Sequence, residues 1–200
     1  EKRIAGPEAA DVVDIRLPVA ENIALVAKAK GISNSDVTVC VLDRPRHQTI
    51  VDEIRAAGAR IKFIIDGDVA GGITAARPDT GVDLLIGVGG TPEGIITACA
   101  IKAIGGTIQG RLWPIDDDER QRAIDAGHDH DREVQPNDLV NADDCFFVAT
   151  GITDGELMHG VRYGAGKAYT ESIVMRSRSG TIRKITSEHS LEKLQAYSAI

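Results

Sequence analysis

Three short polar segments hold the residues whose types and spacing could do chemistry. They are Asp43-Arg44-Pro45-Arg46, Asp66-Gly67-Asp68 and Gly89-Gly90-Thr91-Pro92-Glu93-Gly94. Each follows a run of apolar residues that is typical of a strand. Ligands of open α/β sheets bind beyond the carboxyl ends of the strands, so neighbouring parallel strands would bring the three segments to one crevice. Arginines, carboxylates and a glycine-rich turn together suit a phosphorylated, hydroxylated ligand and a divalent metal.

The first segment is basic. Pro45 fixes its own backbone and restrains that of Arg44, which limits the freedom of the loop. The guanidinium forks of Arg44 and Arg46 can each hold phosphate oxygens through paired hydrogen bonds. Two solvated loop arginines are the alternative interpretation. His47 follows directly, and we expect it either to help bind phosphate or to be exposed.

The second segment is acidic. Asp66 and Asp68 lie on either side of Gly67, a residue that can adopt a positive φ. The two carboxylates could ligate a metal or accept hydrogen bonds from sugar hydroxyls. The alternative is an ordinary aspartate-rich turn.

The third segment has the pattern of a strand-to-helix turn. Thr91 is predicted as the N-cap of a helix and Pro92 as its first residue. Free backbone N–H groups at such a turn favour an anion, and Gly89 and Gly90 would let a ligand approach the main chain. Glu93 lies in the first helical turn. It is either a functional carboxylate or one that only stabilises the helix dipole.

Other motifs are weaker indications of function. Pro92 stands where the dinucleotide fingerprint requires its last glycine, and the segment from 160 to 168 departs from the P-loop at both ends. Lys167 within it could contact a phosphate, but a solvated loop lysine is the favoured interpretation. The run from 128 to 131, His-Asp-His-Asp, has no partner motif of metal-binding spacing. Glu93, Asp66 and Asp68 are too few carboxylates to hold two metals by themselves.

The elements that must position these segments alternate strands with helices, which predicts an α/β layered sheet. Predicted strands cover 37–42, 60–65, 83–88 and 107–113, then 144–150, 160–163, 168–177 and 181–187. Predicted helices cover 22–30, 46–57, 94–104 and 116–126, with a short one at 191–197. The opening residues give no clear signal, and 128–141 is predicted to be irregular. No linker or repeat divides the chain.

Composition excludes several classes of protein. The chain has 200 residues, 42% of them hydrophobic, and a formal net charge of −7, which fits one domain or part of a larger one. It has no basic stripe for nucleic acid and no apolar run of the roughly 18 residues that span a membrane. Its three cysteines are widely spaced, which favours reduced thiols in a cytoplasmic protein.

The sequence resembles the class II (GlpX-type) fructose-1,6-bisphosphatases over essentially its whole length. The similarity is carried, in the order and spacing of that family, by LDRPRH, DGDVAGGI, GVGGTPEG, ATGITDGELMHGVRY and TESIVMRSRSGTIRKI. The resemblance implies a layered α/β sandwich of the lithium-sensitive, inositol-monophosphatase-like type. It also implies hydrolysis of the 1-phosphate of fructose 1,6-bisphosphate in gluconeogenesis, a requirement for Mg²⁺ or Mn²⁺, and a homo-oligomer.

The resemblance assigns roles to the three segments. The substrate-binding basic loop of the family matches Arg44, Pro45 and Arg46, with Arg44 at a position where lysine is common. The sugar-binding acidic turn matches Asp66, Gly67 and Asp68. Gly90 matches a substrate contact and Glu93 a metal ligand. No catalytic residue is assigned.

Family members carry a further amino-terminal region with most of the metal-binding carboxylates, and residues 1–200 lack it. We therefore expect a carboxy-terminal, substrate-binding part that is inactive alone. Two alternatives stay open: an enzyme that also acts on sedoheptulose 1,7-bisphosphate, and a non-catalytic sugar-phosphate-binding fragment.

Overall fold

The computed structural model describes residues 1–78, 80–114, 116–127, 129 and 132–198. The strands of the first half are β1 (Lys2–Ala5), β2 (Thr38–Leu42), β3 (Arg60–Ile64), β4 (Leu84–Gly87) and β5 (Thr107–Gly110). Those of the second half are β6 (Phe146–Thr150), β7 (Arg162–Gly164), β8 (Lys167–Arg176) and β9 (Thr181–Ser190). The helices are α1 (Val19–Lys30), α2 (Gln48–Ala56), α3 (Asp68–Ala76), α4 (Thr91–Ile104), α5 (Asp117–Asp125), α6 (Pro136–Leu139) and α7 (Leu191–Ser198).

The first sheet is mixed, with the strand order β3-β2-β4-β1-β5. β2 is parallel to β3 and to β4. β1 is antiparallel to both β4 and β5, so β5 runs in the same direction as β4. Four strands therefore end at one edge of this sheet, and β1 begins there.

Both faces of the first sheet are covered by helices. Val39 and Val41 of β2 belong to the apolar cluster that includes residues of α1 and α2, whereas Cys40 between them belongs to the cluster that includes residues of α3 and α4. Successive side chains of a strand point to opposite faces, so a run such as 37–42, which is apolar except for Thr38, is what a sheet buried on both faces requires.

The second sheet is antiparallel, with β8 paired to β6 and β7 on one side and to β9 on the other. Its inner face packs Phe147, Ile173 and Met175 against Ile73 of α3 and Ala100 of α4. Helices α3 and α4 therefore lie between the two sheets. The architecture is a layered α/β fold, as the sequence predicts.

Most predicted elements are confirmed within a few residues, and the structure adds three. They are β1 in the opening segment, α3, which begins at Asp68 in the acidic turn, and α6 in the segment predicted to be irregular. Helix α3 contains two glycines, which disfavour a helix. The close packing of α3 against β1 explains the glycines, because a Cβ at Gly72 would lie 2.7 Å from Ile4 Cδ1.

Two predicted boundaries are wrong. Strand β5 ends at Gly110, so the strand predicted for 107–113 is too long. The N-cap of α4 is Gly90 and not Thr91, and Pro92 is the second helical residue. No helix in the described part of the chain is long and apolar enough to cross a membrane.

Candidate active-site edge

The three polar segments converge, because the strands before them are parallel neighbours. Leu42 at the end of β2 is paired with Ile64 at the end of β3, and the ladder continues from the Asp43 N–H to the Ile64 carbonyl at 2.9 Å. β4 lies on the other side of β2. The amino end of β1 joins this edge, since Lys2 pairs with Gly87. The predicted convergence of the three segments at the carboxyl ends of the strands is therefore confirmed.

Arg44 and Arg46 extend from a restrained loop. Arg44 is extended (φ −142°, ψ 142°), as a residue before proline should be, and Pro45 opens a single turn of 3₁₀-helix. Arg46 donates from Nε and Nη2 to the Val88 carbonyl at 3.2 and 2.8 Å, which ties the loop after β2 to the turn after β4. Arg44 Nη1 donates to the Asp43 carbonyl at 2.8 Å. Each guanidinium keeps further N–H donors that an anion could use.

His47 is neither exposed nor available to a phosphate, so both sequence-based expectations are wrong. It is fully buried. Its Nδ1 lies 2.8 Å from the Leu42 carbonyl, and its Nε2 lies 2.9 Å from the Val88 backbone nitrogen. Because the Val88 N–H must donate, Nε2 accepts and the proton is on Nδ1. His47 thus joins the ends of β2 and β4 directly beneath the candidate site.

The acidic turn separates its two carboxylates. Gly67 has a φ of 79°, in the left-handed region, and is the N-cap of α3. Asp66 is exposed, and its Oδ1 accepts the Gly67 N–H at 2.7 Å. Asp68 opens α3, and its Oδ2 lies 2.5 Å from Lys2 Nζ, the two side chains being 13% and 8% exposed. Only Asp66 fits the simple turn interpretation.

The glycine-rich turn lies against the carboxylates. A Cβ at Gly89 would be 2.5 Å from Asp68 Oδ2, and a Cβ at Gly90 would overlap Glu93 Oε2. Glu93 is exposed at the amino end of α4 and folds back over Gly90. A side chain at Gly89 would therefore displace the Asp68 carboxylate, and one at Gly90 would displace the end of the Glu93 side chain.

A cavity of about 450 Å³ lies on the β1–β5 side of this turn. Its wall includes Lys2, Gly90 and Arg111, and Arg111 is held by Glu1 through a contact of 2.5 Å between Nη2 and Oε2. Neither Lys2 nor Arg111 is indicated as a site residue by the sequence pattern. Lys2 falls in the segment without a strand signal, and Arg111 falls inside the overlong predicted strand.

The described residues do not make a metal site by themselves. No group of three His, Cys, Asp or Glu side chains suited to a metal ion occurs among them. Glu93 could supply one carboxylate oxygen, the donor type that Mg²⁺ and Mn²⁺ prefer.

Two secondary motifs lie away from this edge or outside the described residues. Lys167 is exposed in β8 and forms an ion pair with Glu188 at 2.6 Å, so it belongs to a strand and not to the predicted loop. His128, His130 and Asp131 lie outside the described residues.

The fold and this edge define a layered α/β protein in which a basic loop, an acidic turn and a glycine-rich turn meet at one sheet edge. Residues 1–189 match the family model described as bacterial fructose-1,6-bisphosphatase, glpX-encoded. The chain is 40% identical to a fructose-1,6-bisphosphatase class 2 of Haemophilus influenzae, over 97% of this chain and 62% of the relative. It is 37% identical to fructose-1,6-bisphosphatase 1 class 2 of Escherichia coli K12, over 96% of this chain and 61% of the relative.

The chain therefore belongs to the glpX-encoded bacterial fructose-1,6-bisphosphatase family. It spans about 62% of the length of the relative from Haemophilus influenzae.

Proposed function

We propose that this chain is the carboxy-terminal, substrate-binding part of a metal-dependent enzyme that hydrolyses fructose 1,6-bisphosphate. The products would be fructose 6-phosphate and phosphate, in gluconeogenesis. Family membership and the names of the relatives support the activity. The observation that carries the proposal is the meeting of a basic loop, an acidic turn and a glycine-rich turn at one sheet edge.

Arg44 and Arg46 would bind the phosphate that does not react. Arg46 is anchored on the Val88 carbonyl at 2.8 Å, next to Gly89 and Gly90, so an anion bound there would lie close to the turn. A guanidinium that is already held in place loses less conformational freedom when it binds. Binding energy at the remote phosphate can then orient the reacting one.

Asp66, Gly67 and Asp68 would bind sugar hydroxyls, since ionised carboxylates act as hydrogen-bond acceptors. Gly90 would let the sugar phosphate approach the main chain at the amino end of α4. Glu93 would supply one ligand to Mg²⁺ or Mn²⁺. The remaining ligands would come from an amino-terminal region outside residues 1–200.

We further propose that the layered fold is of the inositol-monophosphatase-like type, that the enzyme is a cytoplasmic homo-oligomer, and that it binds neither nucleic acid nor membranes. Gel filtration with light scattering would test the oligomer. A monomer at working concentration would contradict it.

The first experiment is phosphate release from fructose 1,6-bisphosphate, with Mn²⁺ or Mg²⁺, by the protein expressed from its complete gene, with its intact mass measured in parallel. We expect turnover that EDTA abolishes. Residues 1–200 expressed alone are the control and should release no phosphate. Robust turnover by residues 1–200 alone would show that no further carboxylates are essential.

Two variants of the complete protein test the assigned roles. Glu93→Gln should lower kcat far more than it raises KM, because it removes a metal ligand and leaves the phosphate and hydroxyl sites intact. Arg46→Ala should mainly raise KM. Near-normal turnover in the first variant, or an unchanged KM in the second, would remove that residue from its role.

A non-catalytic sugar-phosphate-binding role is the second candidate. It is favoured by one observation, that the described residues contain no cluster of three potential metal ligands. It predicts that fructose 6-phosphate binds residues 1–200 in calorimetry, without turnover by the complete protein. An active enzyme that hydrolyses sedoheptulose 1,7-bisphosphate with a similar kcat/KM would instead support the broader bisphosphatase.

A further inference from the structure

Lys2 is a buried lysine at the candidate active-site edge. Its side chain is 8% exposed, and its Nζ lies 2.5 Å from Asp68 Oδ2. Lysine is almost never fully buried unless it is paired. Here the partner is one of the carboxylates proposed to bind the sugar.

The direction of β1 brings Lys2 to this edge. β1 is antiparallel to its neighbours, so its first residue pairs with Gly87 at the end of β4 and with Gly110 at the end of β5. A parallel strand in the same place would have put its first residue at the opposite edge. The inserted antiparallel strand therefore delivers a cation between the turns that follow β4 and β5.

The surroundings keep the pair in one arrangement. A Cβ at Gly89 would lie 2.5 Å from Asp68 Oδ2 and 3.3 Å from Lys2 Nζ, so the backbone of Gly89 closes over the contact. Asp68 Oδ2 accepts from Lys2, and the described residues donate no hydrogen bond to its other oxygen, Oδ1. The carboxylate is thus held by one oxygen and keeps the other for a ligand.

We infer that Lys2 is a positioning residue for Asp68, a statement that rests on the proposed function. Lys2 orients the carboxylate so that Oδ1 accepts a sugar hydroxyl. It also balances the negative charge of Asp68, which would otherwise repel a phosphorylated ligand. The side chain acts through Asp68 and is not itself a catalytic residue.

The test is a double-mutant cycle of Lys2→Met and Asp68→Asn in the protein expressed from its complete gene. The readouts are the Kd of fructose 6-phosphate by calorimetry and the KM and kcat for fructose 1,6-bisphosphate. Each single variant should weaken binding by about 10- to 100-fold, the equivalent of one hydrogen bond to a charged group. The Kd of the double variant should not exceed that of the single variant with the higher Kd, because Lys2 acts through Asp68.

Lys30→Met is the matched control. Lys30 also lies 2.5 Å from an aspartate, Asp83, with side chains 24% and 13% exposed, but Asp83 precedes β4 and so lies at the opposite edge of the sheet. Its loss should lower the melting temperature and leave both Kd and KM unchanged. If Lys2 has only a structural role, Lys2→Met will behave like this control, and the inference is wrong.

Gly89→Ala is the second perturbation, used if Lys2→Met does not fold. It keeps both charges but displaces the Asp68 carboxylate from its position against Lys2, so it should also weaken binding of fructose 6-phosphate. Normal affinity in Gly89→Ala would overturn the inference. If the wild-type protein binds fructose 6-phosphate but shows no turnover, the proposed enzymatic function is wrong, whereas the inference about Lys2 is not. The double-mutant cycle is then evaluated from the Kd values only. Additive losses in the double variant would show that Lys2 does not act through Asp68.

Discussion

His47→Leu should destabilise the protein more than most single substitutions. Leucine fills much of the same buried volume but has no polar atoms. The change removes two contacts, of 2.8 Å to the Leu42 carbonyl and of 2.9 Å from the Val88 N–H. Each net hydrogen bond contributes about 1 kcal/mol, and a buried group left unpaired costs about 1–3 kcal/mol. The two backbone groups left unpaired together cost about 2–6 kcal/mol, a large part of the 5–15 kcal/mol that typically stabilises a domain.

The assay is unfolding by urea, monitored by circular dichroism. The free energies of unfolding of variant and wild type are compared provided that both fall with urea concentration at the same slope. His189→Leu is the control, because His189 makes one contact of 3.0 Å, to Thr170 in the second sheet, and its loss should cost at most about 1 kcal/mol. We also expect weaker binding of fructose 6-phosphate in His47→Leu only, since Arg46 binds the carbonyl of the same residue, Val88. A loss below about 1 kcal/mol with normal binding would refute the argument.

Three further predictions concern other parts of the chain. Burial raises the pKa of the Cys40 thiol to about 11, so iodoacetamide at pH 8 should leave Cys40 unmodified in mass spectrometry until urea unfolds the protein; prompt labelling of the native state would contradict this. Hydrogen bonds from Arg16 lower the pKa of Asp14 to about 2 from 3.8. The stabilisation from this pair should therefore be complete above pH 4 and disappear as the pH falls towards 2, and an Asp14 carboxyl that titrates near 4 by NMR would count against it. Gly106→Ala should prevent stable folding, because its Cβ would overlap the Ala5 carbonyl oxygen; a melting temperature equal to that of wild type would show that the backbone can move aside.

The sequence predicted β2 to β9 and the polar segments that follow β2, β3 and β4 because their signals are local. An apolar run such as 37–42 followed by Asp43 indicates a buried strand that ends at a polar turn. Pro45 and Gly67 mark turns through their own backbone preferences. The alternation of strands and helices favours parallel pairing, so the three segments were expected to converge if their strands were neighbours. The structure supplies that strand order.

The partners of individual side chains could not be predicted in this way. His47 looked like a surface residue because it stands between charged and polar neighbours, yet the 3₁₀ turn from Pro45 to His47 points it inward. Helix α3 was missed because its glycines reduce helix propensity, and their cause is contact with Ile4, 68 residues away from Gly72 along the chain. Such contacts depend on chain segments that are distant in sequence.

The sequence by itself determined the family, the α/β class and the chemical types at the candidate site. The tertiary structure decided which of those residues touch one another. It placed Lys2 against Asp68, tied Arg46 to Val88 and buried His47 between two strand ends. The physical reason is that composition and local pattern fix which groups are present at a strand end, whereas hydrogen bonds and ion pairs need distances of about 3 Å, which only the packing of distant segments sets.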